Sequence, residues 1–272
     1  MNTEYDDIAS LSKPITQSPY PYLFSICTLV TDWGEYNEML QSFLNKGFDR
    51  TRCEYLHIDN STGNTIEAYK GINLFLRQSK GEFIIVCHQD VLLLQDDLVK
   101  LQQKICLLEK MDANWAVCGN AGALGPNNIV YHISYPDGAF ANKGSFPHRV
   151  TALDENFLVI KNSALLSVSD DLEGFHLYAV DLCLHAELNG KMCYAIDFHL
   201  LHKSRGKVDQ EYLNLRRKLI QKYNSFFRTR WIQTPTTVFH LSGNWLERLL
   251  LGNAISLFFA RMYNGLKKRL KR

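Results

Sequence analysis

The sequence predicts an α/β fold in which helices flank a mainly parallel sheet. Apolar runs rich in β-branched and aromatic residues alternate with stretches of helical spacing, which is the pattern of β-α-β units. The first run, Leu23 to Val30, is apolar throughout, as expected of a strand buried on both faces of a parallel sheet. A composition of 46% hydrophobic and 21% charged residues is that of an ordinary globular protein.

The first half of the chain contains three strands that each end in a polar cluster. The strands are predicted over residues 23–30, 54–58 and 83–87, and helices over 32–45, 65–78 and from Asp96 or Asp97 to about Lys110. Thr31-Asp32, Asp59-Asn60 and His88-Gln89-Asp90 follow the strands. Because ligands bind beyond the carboxyl ends of such strands, these clusters are expected to meet at one cleft.

The second half continues the alternation less regularly. A strand is predicted over 116–118, loops and short strands over 127–146, an extended segment over 153–160, a helix over 180–189, a strand over 193–198 and a helix over 213–223. The predicted organisation is a loosely ordered leader (1–21), a catalytic domain (22–225, with halves 22–118 and 119–225) and a helical tail (226–272).

Several classes of protein are disfavoured by composition and motifs. A net charge of +2 without a basic face over the fold does not suggest nucleic-acid binding. No G-x-G-x-x-G follows the first strand, which disfavours a dehydrogenase. Seven scattered cysteines without a C-x-x-C pair fit reduced thiols in the cytoplasm, and neither a secretory signal nor a membrane-spanning run is expected.

Asp90 carries the central chemical signal. An aspartate at the end of a strand can hold a divalent cation, and the cation can offset the charge of a leaving diphosphate. Taken alone, a structural loop cap is an equally good interpretation of His88-Gln89-Asp90.

Four stretches in order strengthen the chemical interpretation. Asp59-Asn60-Ser61, the run 68–73, Gly81-Glu82-Phe83 and His88-Gln89-Asp90-Val91 resemble the donor half of family-2-like GT-A glycosyltransferases. The resemblance spans about residues 22–225. It implies a GT-A fold and an enzyme, using Mn²⁺ or Mg²⁺, that moves a sugar with inversion from a nucleotide-sugar donor to an acceptor hydroxyl. The subgroup in which a histidine replaces the first aspartate of D-x-D is associated with bacterial surface polysaccharides.

The resemblance also assigns residues to the donor and the metal. Asp59 maps to the nucleoside contact and Asp90 to the metal, while His88 alters the ribose contact of the first aspartate. His202 maps to a further metal ligand, although a lone histidine is more often a packed or surface residue. The expected donor-binding residues are Thr31, Asp59, Asn60, His88, Gln89 and Asp90.

Three stretches extend the resemblance to the acceptor half, around residues 153–155, 173–178 and 181. Asp181 maps to the general base of the family, and an ionised aspartate can accept the proton of an attacking hydroxyl. The alternative is an N-cap that only starts the helix, and Val180 stands where the family often has glutamate. The expected acceptor-binding residues are Asp154, Glu155, Phe175 and His176, although Asp154 and Glu155 equally fit a surface turn.

Two basic stretches suggest further roles, each with a plain alternative. Lys203 and Arg205 fit a mobile loop that closes over the diphosphate, or two cations on a solvated loop. The apolar stripe 245–263 and the basic end 267–272 fit a helix that lies on an anionic membrane surface, which would suit a lipid-linked or glycan acceptor at the inner face of the membrane. The alternative is a helix packed on the domain or on a dimer partner.

Two other functions compete with the glycosyltransferase interpretation. A nucleotidyltransferase should carry a glycine- and basic-rich phosphate loop after its first strand, and residues 30–34 lack one. A non-catalytic sugar- or nucleotide-binding subunit is supported only by the departures at His88 and Val180, whereas the presence of Asp90 and Asp181 argues against it.

Overall fold

The structure is a computed structural model, and it describes residues 12–15, 19–206, 208–251, 253, 255–256, 258–259 and 262. Two compact units are present, residues 1–208 and residues 209–272. The α-helices of the first unit are α1 (Trp33–Asn45), α2 (Ala68–Gln78), α3 (Leu98–Met111) and α4 (Tyr178–Leu188). Its strands are β1 (Tyr22–Val30), β2 (Cys53–Asp59), β3 (Gly81–Cys87), β4 (Val91–Leu92), β5 (Trp115–Gly119), β6 (Ala121–Leu124), β7 (Asn128–Ser134), β8 (Phe140–Lys143), β9 (His148–Val150), β10 (Ala152–Leu153), β11 (Phe157–Lys161), β12 (Met192–Ala195) and β13 (Leu200–His202).

The large sheet of the first unit is mainly parallel, as predicted. Its strand order is β2-β1-β3-β11-β5-β12-β9. Strands β1, β2, β3, β5 and β12 run in one direction, whereas β9 and β11 run in the other. The carboxyl ends of β1, β2 and β3 therefore lie side by side at one edge, where the three polar clusters were expected to meet.

Apolar side chains cover this sheet because its central strands are buried. Phe24 and Ile26 of β1 pack into one core with Met39 and Phe43 of α1 and Leu101 of α3. The two helices begin at aspartate caps: the side chain of Asp32 accepts from Glu35 N, and that of Asp97 accepts from Lys100 N. Of the two caps considered for α3, Asp97 is thus the one that the fold uses.

A smaller sheet fills the region that was expected to hold loops and short strands. Its order is β10-β6-β7-β13-β4, with β8 paired to β7. The pairing of β4 with β13 is antiparallel and places His202 opposite Val91. This short ladder brings His202 next to the segment that follows β3, although more than a hundred residues separate them in sequence.

Helix α4 begins earlier than the sequence predicted. It starts at Tyr178, and Leu177 occupies the N-cap position with φ 61° and no capping side chain. The backbone N–H of Asp181 already donates to the carbonyl of Leu177. The alternative interpretation of Asp181 as the N-cap is therefore wrong.

The second unit contains α5 (Gln210–Phe226), a hairpin of β14 (Arg230–Gln233) and β15 (Val238–Leu241), and α6 (Trp245–Leu251). Helix α5 thus belongs to the same unit as the hairpin, although it was expected within the domain 22–225. The predicted leader 1–21 and the predicted helix 245–263 lie partly outside the described residues, and the basic end 267–272 lies wholly outside them. None of the helices in the described part of the chain has the length and apolar character needed to cross a membrane.

Candidate functional site

A cluster of two histidines and one aspartate lies where β3 ends. His88 and Asp90 follow β3 directly, and the ladder between β4 and β13 brings His202 beside them. His88 Nδ1 lies 3.4 Å from His202 Nε2 and 4.0 Å from Asp90 Oδ1. His202 Nε2 and Asp90 Oδ1 lie 3.3 Å apart. Among the described residues, these three form the group of potential ligands that could share one metal ion.

The spacing and chemistry of this cluster fit a divalent cation. Nitrogen and oxygen ligands bind such an ion at about 2.0–2.2 Å, so ligands of one ion stand about 3–4 Å apart. Two imidazoles and one carboxylate suit a transition-metal ion such as manganese, whereas magnesium prefers oxygen ligands. With three protein ligands, coordination positions are left for a second molecule.

The surroundings of His88 and Asp90 favour the protonation states that metal ligands need. Burial, followed by the charge of His202, lowers the pKa of His88. Burial alone would raise the pKa of Asp90, but hydrogen bonds from His202 and Ser204 hold it well below the usual range. A neutral imidazole and an ionised carboxylate are the forms that bind metal ions.

Tyr178 contacts the ring nitrogen of His88 that points away from the cluster. The Tyr178 hydroxyl lies 3.1 Å from His88 Nε2 and 3.4 Å from the backbone carbonyl of Glu155. Which partner of the contact with Nε2 donates depends on the tautomer of His88. In the tautomer that carries the proton on Nε2, the lone pair lies on Nδ1, which faces Asp90 and His202, and Tyr178 then has the position of an outer partner of a histidine ligand.

Gln89 joins the loop after β1 to the loop after β3. Its Oε1 accepts from the backbone N–H groups of Thr31 and Asp32, at 2.7 and 3.0 Å. Its Nε2 donates to Thr31 Oγ1 and to Glu35 Oε2. The structure thus brings Thr31 and Gln89 together at the predicted edge, and the Gln89 amide holds the two loops in place.

The residues after β2 differ in exposure. Asp59 is exposed, and hydrogen bonds from Ser61, then from Trp33, lower the pKa of its carboxyl. Asn60 is buried, and its Oδ1 accepts from Thr65 and Ile66. Asn60 therefore organises the turn that precedes α2, while Asp59 and Trp33 are the pair that faces solvent there.

Asp154 and Glu155 lie in a turn beside the cluster. The Asp154 side chain is exposed and accepts from Asn156 N, and its charge raises the pKa of His88. Burial, followed by the charge of Asp154, raises the pKa of Glu155 to about 8. The charge of His176 in turn lowers the pKa of His88, which brings this predicted acceptor residue to the same region. Phe175, the residue before it, is half-buried.

Asp181 occupies a different environment from the one expected of a general base. Its side chain has no exposed surface. Its carboxylate accepts from Ser169 N at 2.6 Å and from Ser169 Oγ at 2.8 Å. A general base must reach the hydroxyl that it deprotonates. The observed contacts instead give Asp181 the task of tying α4 to the segment around Ser169.

The two cations of the predicted lid make ion pairs across the loop that follows β13. Lys203 binds Glu38 of α1, and Arg205 Nη2 lies 2.6 Å from Asp137 Oδ2. The guanidinium of Arg205 also lies over the ring of Tyr135, 4.3 Å from its centroid. The ion pairs of Lys203 and Arg205 therefore hold the loop on both sides of Ser204, which donates its N–H to Asp90.

Three residues of this region were missed by the sequence analysis as site residues: Tyr178, Ser204 and Trp33. Tyr178 belongs to a stretch that was considered only for its neighbours, and Ser204 lies two residues after His202. Short polar residues beside a metal ligand are a usable signal, because such residues often orient the ligand. Trp33 carried no signal, since its contact with Asp59 depends on the pairing of β1 with β2.

Comparison with solved structures identifies the fold class. A mannosyltransferase of Pyrobaculum calidifontis, solved with GDP-mannose and Mn²⁺, is 12% identical with a TM-score of 0.50, and the match covers 85% of this chain and 72% of that one. The S. aureus protein TarS (residues 1–349) is 14% identical with a TM-score of 0.47, over 66% of this chain and 60% of that chain. The chain thus spans about three fifths of that TarS fragment. The fold is α/β of the GT-A type, and the predicted fold class is confirmed.

Comparison of sequences identifies the family. No family model matches the chain. A protein of Fuscovulum blasticum named ATP synthase subunits region ORF 6 is 38% identical over 231 residues, which cover 83% of this chain and 93% of the relative. The chain therefore belongs to the same protein family as that ORF 6 protein.

Proposed function

We propose that this protein is a metal-dependent glycosyltransferase that moves a sugar from a nucleotide-sugar donor to an acceptor hydroxyl. The observation that carries the proposal is the cluster of His88, Asp90 and His202 at the carboxyl end of β3 in a GT-A fold. Ligands of open α/β sheets bind at this edge. A mannosyltransferase of the same fold is solved with GDP-mannose and Mn²⁺, which supports a nucleotide sugar and manganese as candidates here.

The metal would be held by His88 Nδ1, an oxygen of Asp90 and His202 Nε2. When bound, a divalent cation supplies charge that stabilises a departing diphosphate. Two contacts of the chain would prepare these ligands: the Tyr178 hydroxyl would accept from Nε2–H of His88, which leaves the Nδ1 lone pair for the metal, and Ser204 N donates to the Asp90 carboxylate. Of the two expected ions, Mn²⁺ suits this set of donor atoms better than Mg²⁺, because two of the three donors are imidazole nitrogens and Mg²⁺ prefers oxygen ligands.

The donor nucleoside would lie over the ends of β1 and β2. Thr31 directly follows β1 and Asp59 ends β2, and Trp33 offers a partly exposed ring beside Asp59. Gln89 holds the loop after β1 by bonds to two backbone N–H groups. Thr31, Asp59 and Trp33 would therefore contact the nucleoside, whereas Gln89 and the buried Asn60 position the loops around it.

Asp154 fits the role of general base better than Asp181 does. The family resemblance points to Asp181, yet its carboxylate is buried against Ser169. Asp154 is exposed and close enough to His88 to act on its pKa. An ionised aspartate there can take the proton as the acceptor oxygen attacks the anomeric carbon. One such displacement inverts the configuration at that carbon, and Glu155, Phe175 and His176 would contact the acceptor.

A thermal-shift experiment tests the donor site. UDP, GDP, CDP, ADP and dTDP are each added to the full-length protein with and without Mn²⁺. We expect one nucleotide to raise the melting temperature in the presence of the metal, because a ligand stabilises the state that it binds. No shift with any nucleotide would contradict the proposed function.

Two matched variants test whether the metal-dependent binding of the nucleotide depends on the cluster. Asp90→Asn removes the negative charge of the cluster and is expected to lower the metal-dependent nucleotide affinity by at least about tenfold, as loss of a charged metal ligand should. Glu82→Gln removes an exposed carboxylate at the opposite end of the same strand and should leave the affinity unchanged. Equal affinity in wild type and Asp90→Asn would remove Asp90 from the site.

The biological setting follows from the family resemblance and from the thiols. The resemblance points to cell-surface glycan synthesis, with a glycan or a lipid-linked sugar as the acceptor. All seven cysteines are unpaired, which suits the reducing cytoplasm. We therefore place the reaction on the cytoplasmic side of the membrane.

A further inference from the structure

The charges of this chain are divided unequally between its two units. Residues 1–208 contain 17 Lys or Arg and 25 Asp or Glu, whereas residues 209–272 contain 13 Lys or Arg and three Asp or Glu. The small overall charge of +2 thus results from a strongly acidic unit and a strongly basic one. Beyond Glu211, the single acidic residue is Glu247.

Glu247 is directed into the second unit. Its carboxylate accepts from Thr229 Oγ1 and from Ser242 Oγ, which join the start of the hairpin region to α6. These hydrogen bonds, that of Thr229 first, lower the pKa of Glu247, so it stays ionised. The Glu247 carboxylate is therefore bound by hydroxyl groups of its own unit, and it is the single acidic residue among the cations of residues 212–272.

The same unit exposes large apolar side chains on and after α6. These side chains are between 59% and 70% exposed: Trp245, Leu249, Leu250, Ile255, Phe258 and Phe259. Large apolar side chains that are exposed in such number within one short stretch of chain commonly mark a surface that binds something. The sequence continues with Lys267, Lys268, Arg269, Lys271 and Arg272.

We propose that the second unit docks on the surface of a bilayer that contains anionic lipids. Apolar side chains that enter the acyl boundary and cations that face anionic headgroups form the combination found in helices that lie on membranes. A second copy of this chain fits less well, because its contact would bring two strongly basic surfaces together. A nucleic acid would match the cations but not the leucine, isoleucine and phenylalanine side chains.

Vesicle flotation of the full-length protein tests the proposal. Vesicles of phosphatidylcholine are compared with vesicles in which phosphatidylglycerol replaces part of it. The protein is expected to float with the anionic vesicles, and the bound fraction should fall as the salt concentration rises. Equal binding to both kinds of vesicle, or binding to neither, would overturn the proposal.

Variants separate the apolar and the basic contributions. Leu249→Gln with Leu250→Gln should lower the partition to anionic vesicles by at least about tenfold, because two exposed apolar side chains are lost. Val99→Gln with Leu107→Gln, on exposed positions of α3, is the matched control and should bind like wild type. Lys267→Gln with Lys268→Gln should reduce both the binding and its salt dependence, and it leaves α6 unchanged.

One further outcome would identify a different occupant. If analytical ultracentrifugation shows a dimer that Leu249→Gln with Leu250→Gln dissociates, while neither protein binds vesicles, the surface is an interface between copies and the proposal fails. Vesicle binding requires no donor or metal. A negative nucleotide result would therefore contradict the proposed enzyme while leaving the membrane inference standing, and the reverse also holds.

Discussion

Burial sets the charge of Glu155, a carboxyl group beside the proposed acceptor site. Its pKa is raised to about 8 by burial and by the charge of Asp154, although the backbone of Leu177 donates a hydrogen bond that acts in the opposite direction. The folded protein therefore holds a proton on Glu155 at neutral pH. Its neighbour Asp154 is exposed, so an acceptor hydroxyl can reach the Asp154 carboxyl, as a general base requires.

The raised pKa of Glu155 predicts a pH dependence of stability. In the unfolded chain this carboxyl ionises near pH 4.5, so between that pH and about 8 the unfolded state has released a proton that the folded state keeps. The free energy of unfolding should therefore fall, by an amount on the order of a few kcal/mol, as the pH rises through this window. Urea titrations across the window measure it.

Replacement of Glu155 by glutamine should remove this pH dependence of stability. In Glu155→Gln, the free energy of unfolding is expected to fall less as the pH rises, whereas Glu82→Gln, at an exposed position, should keep the wild-type pH dependence. Parallel curves for wild type and Glu155→Gln would show that Glu155 is ionised in the folded protein at neutral pH.

Asp181 and Asp154 should respond in opposite ways to the same substitution. In Asp181→Asn, an amide NH₂ or an uncharged oxygen replaces a buried carboxylate that accepts two hydrogen bonds from Ser169, and the loss should be about 1–3 kcal/mol of unfolding free energy. Asp154→Asn changes an exposed side chain, so stability should change by less than about 0.5 kcal/mol. Sugar transfer by Asp154→Asn should fall at least about a hundredfold, as loss of a general base does.

The measurement pairs chemical unfolding with the rate of donor consumption. If Asp181→Asn unfolds like wild type and has lost transfer, the base is Asp181, and the assignment of Asp154 is wrong. Binding of the nucleotide should survive in both variants, since neither side chain belongs to the metal cluster.

At the level of elements, β3 is the strand that presents the cluster, and Gly81 fixes how closely it lies against β1. The N–H of Gly81 donates to Ser25 Oγ at 2.7 Å. A Cβ atom at position 81 would stand 2.4 Å from Ser25 N and 2.6 Å from the carbonyl carbon of Phe24. Both are backbone atoms of the neighbouring strand and cannot turn aside as a side chain does.

Gly81→Ala should therefore destabilise the protein by about 1–3 kcal/mol or more, as overpacking does. Gly206→Ala is the matched control, since no heavy atom lies within 4 Å of a Cβ built there and its φ is ordinary. The control should unfold within about 0.5 kcal/mol of wild type in urea. Equal stability of the two variants would show that β1 and β3 can separate at no cost.

The elements that could be predicted are those with a strong local pattern. Strands β1 to β3 and helices α1 to α3 appear close to their predicted bounds, because each has its own apolar period. The ladder of β4 with β13 could not be predicted, since strands of two and three residues carry no period. The start of α4 was missed because Leu177, without a capping side chain, adopts a left-handed conformation that glycine or asparagine would signal.

The same limit applies to the site. Asp90 and His88 follow a strand that the sequence defines, so the edge at which they lie could be predicted. The prediction that His202 lies near Asp90 rested on the family resemblance, and no local pattern of this chain would have indicated it. The burial of Asp181 and Asn60 depends on contacts with Ser169 and the turn at Thr65, which form only after the chain has folded.

At the scale of the whole molecule, the candidate active site and the exposed apolar side chains belong to different units. The cluster, the loops around it and the turn at Asp154 all lie within residues 1–208, the acidic unit. The exposed apolar side chains from Trp245 onward lie in the basic unit. A substitution that alters the binding of one unit to its ligand therefore need not alter that of the other.

Stabilisation by the donor should be confined to the first unit. A ligand at a hundredfold excess over its Kd stabilises the unit that binds it by about 2.7 kcal/mol, and slows hydrogen exchange there accordingly. In an exchange experiment with Mn²⁺ and the matching nucleotide, amides of β1, β3 and α1 should gain protection. Amides of α5 serve as the internal control and should exchange at the unliganded rate. If α5 gains as much protection as β3, the two units unfold together, and the functional division between them is wrong.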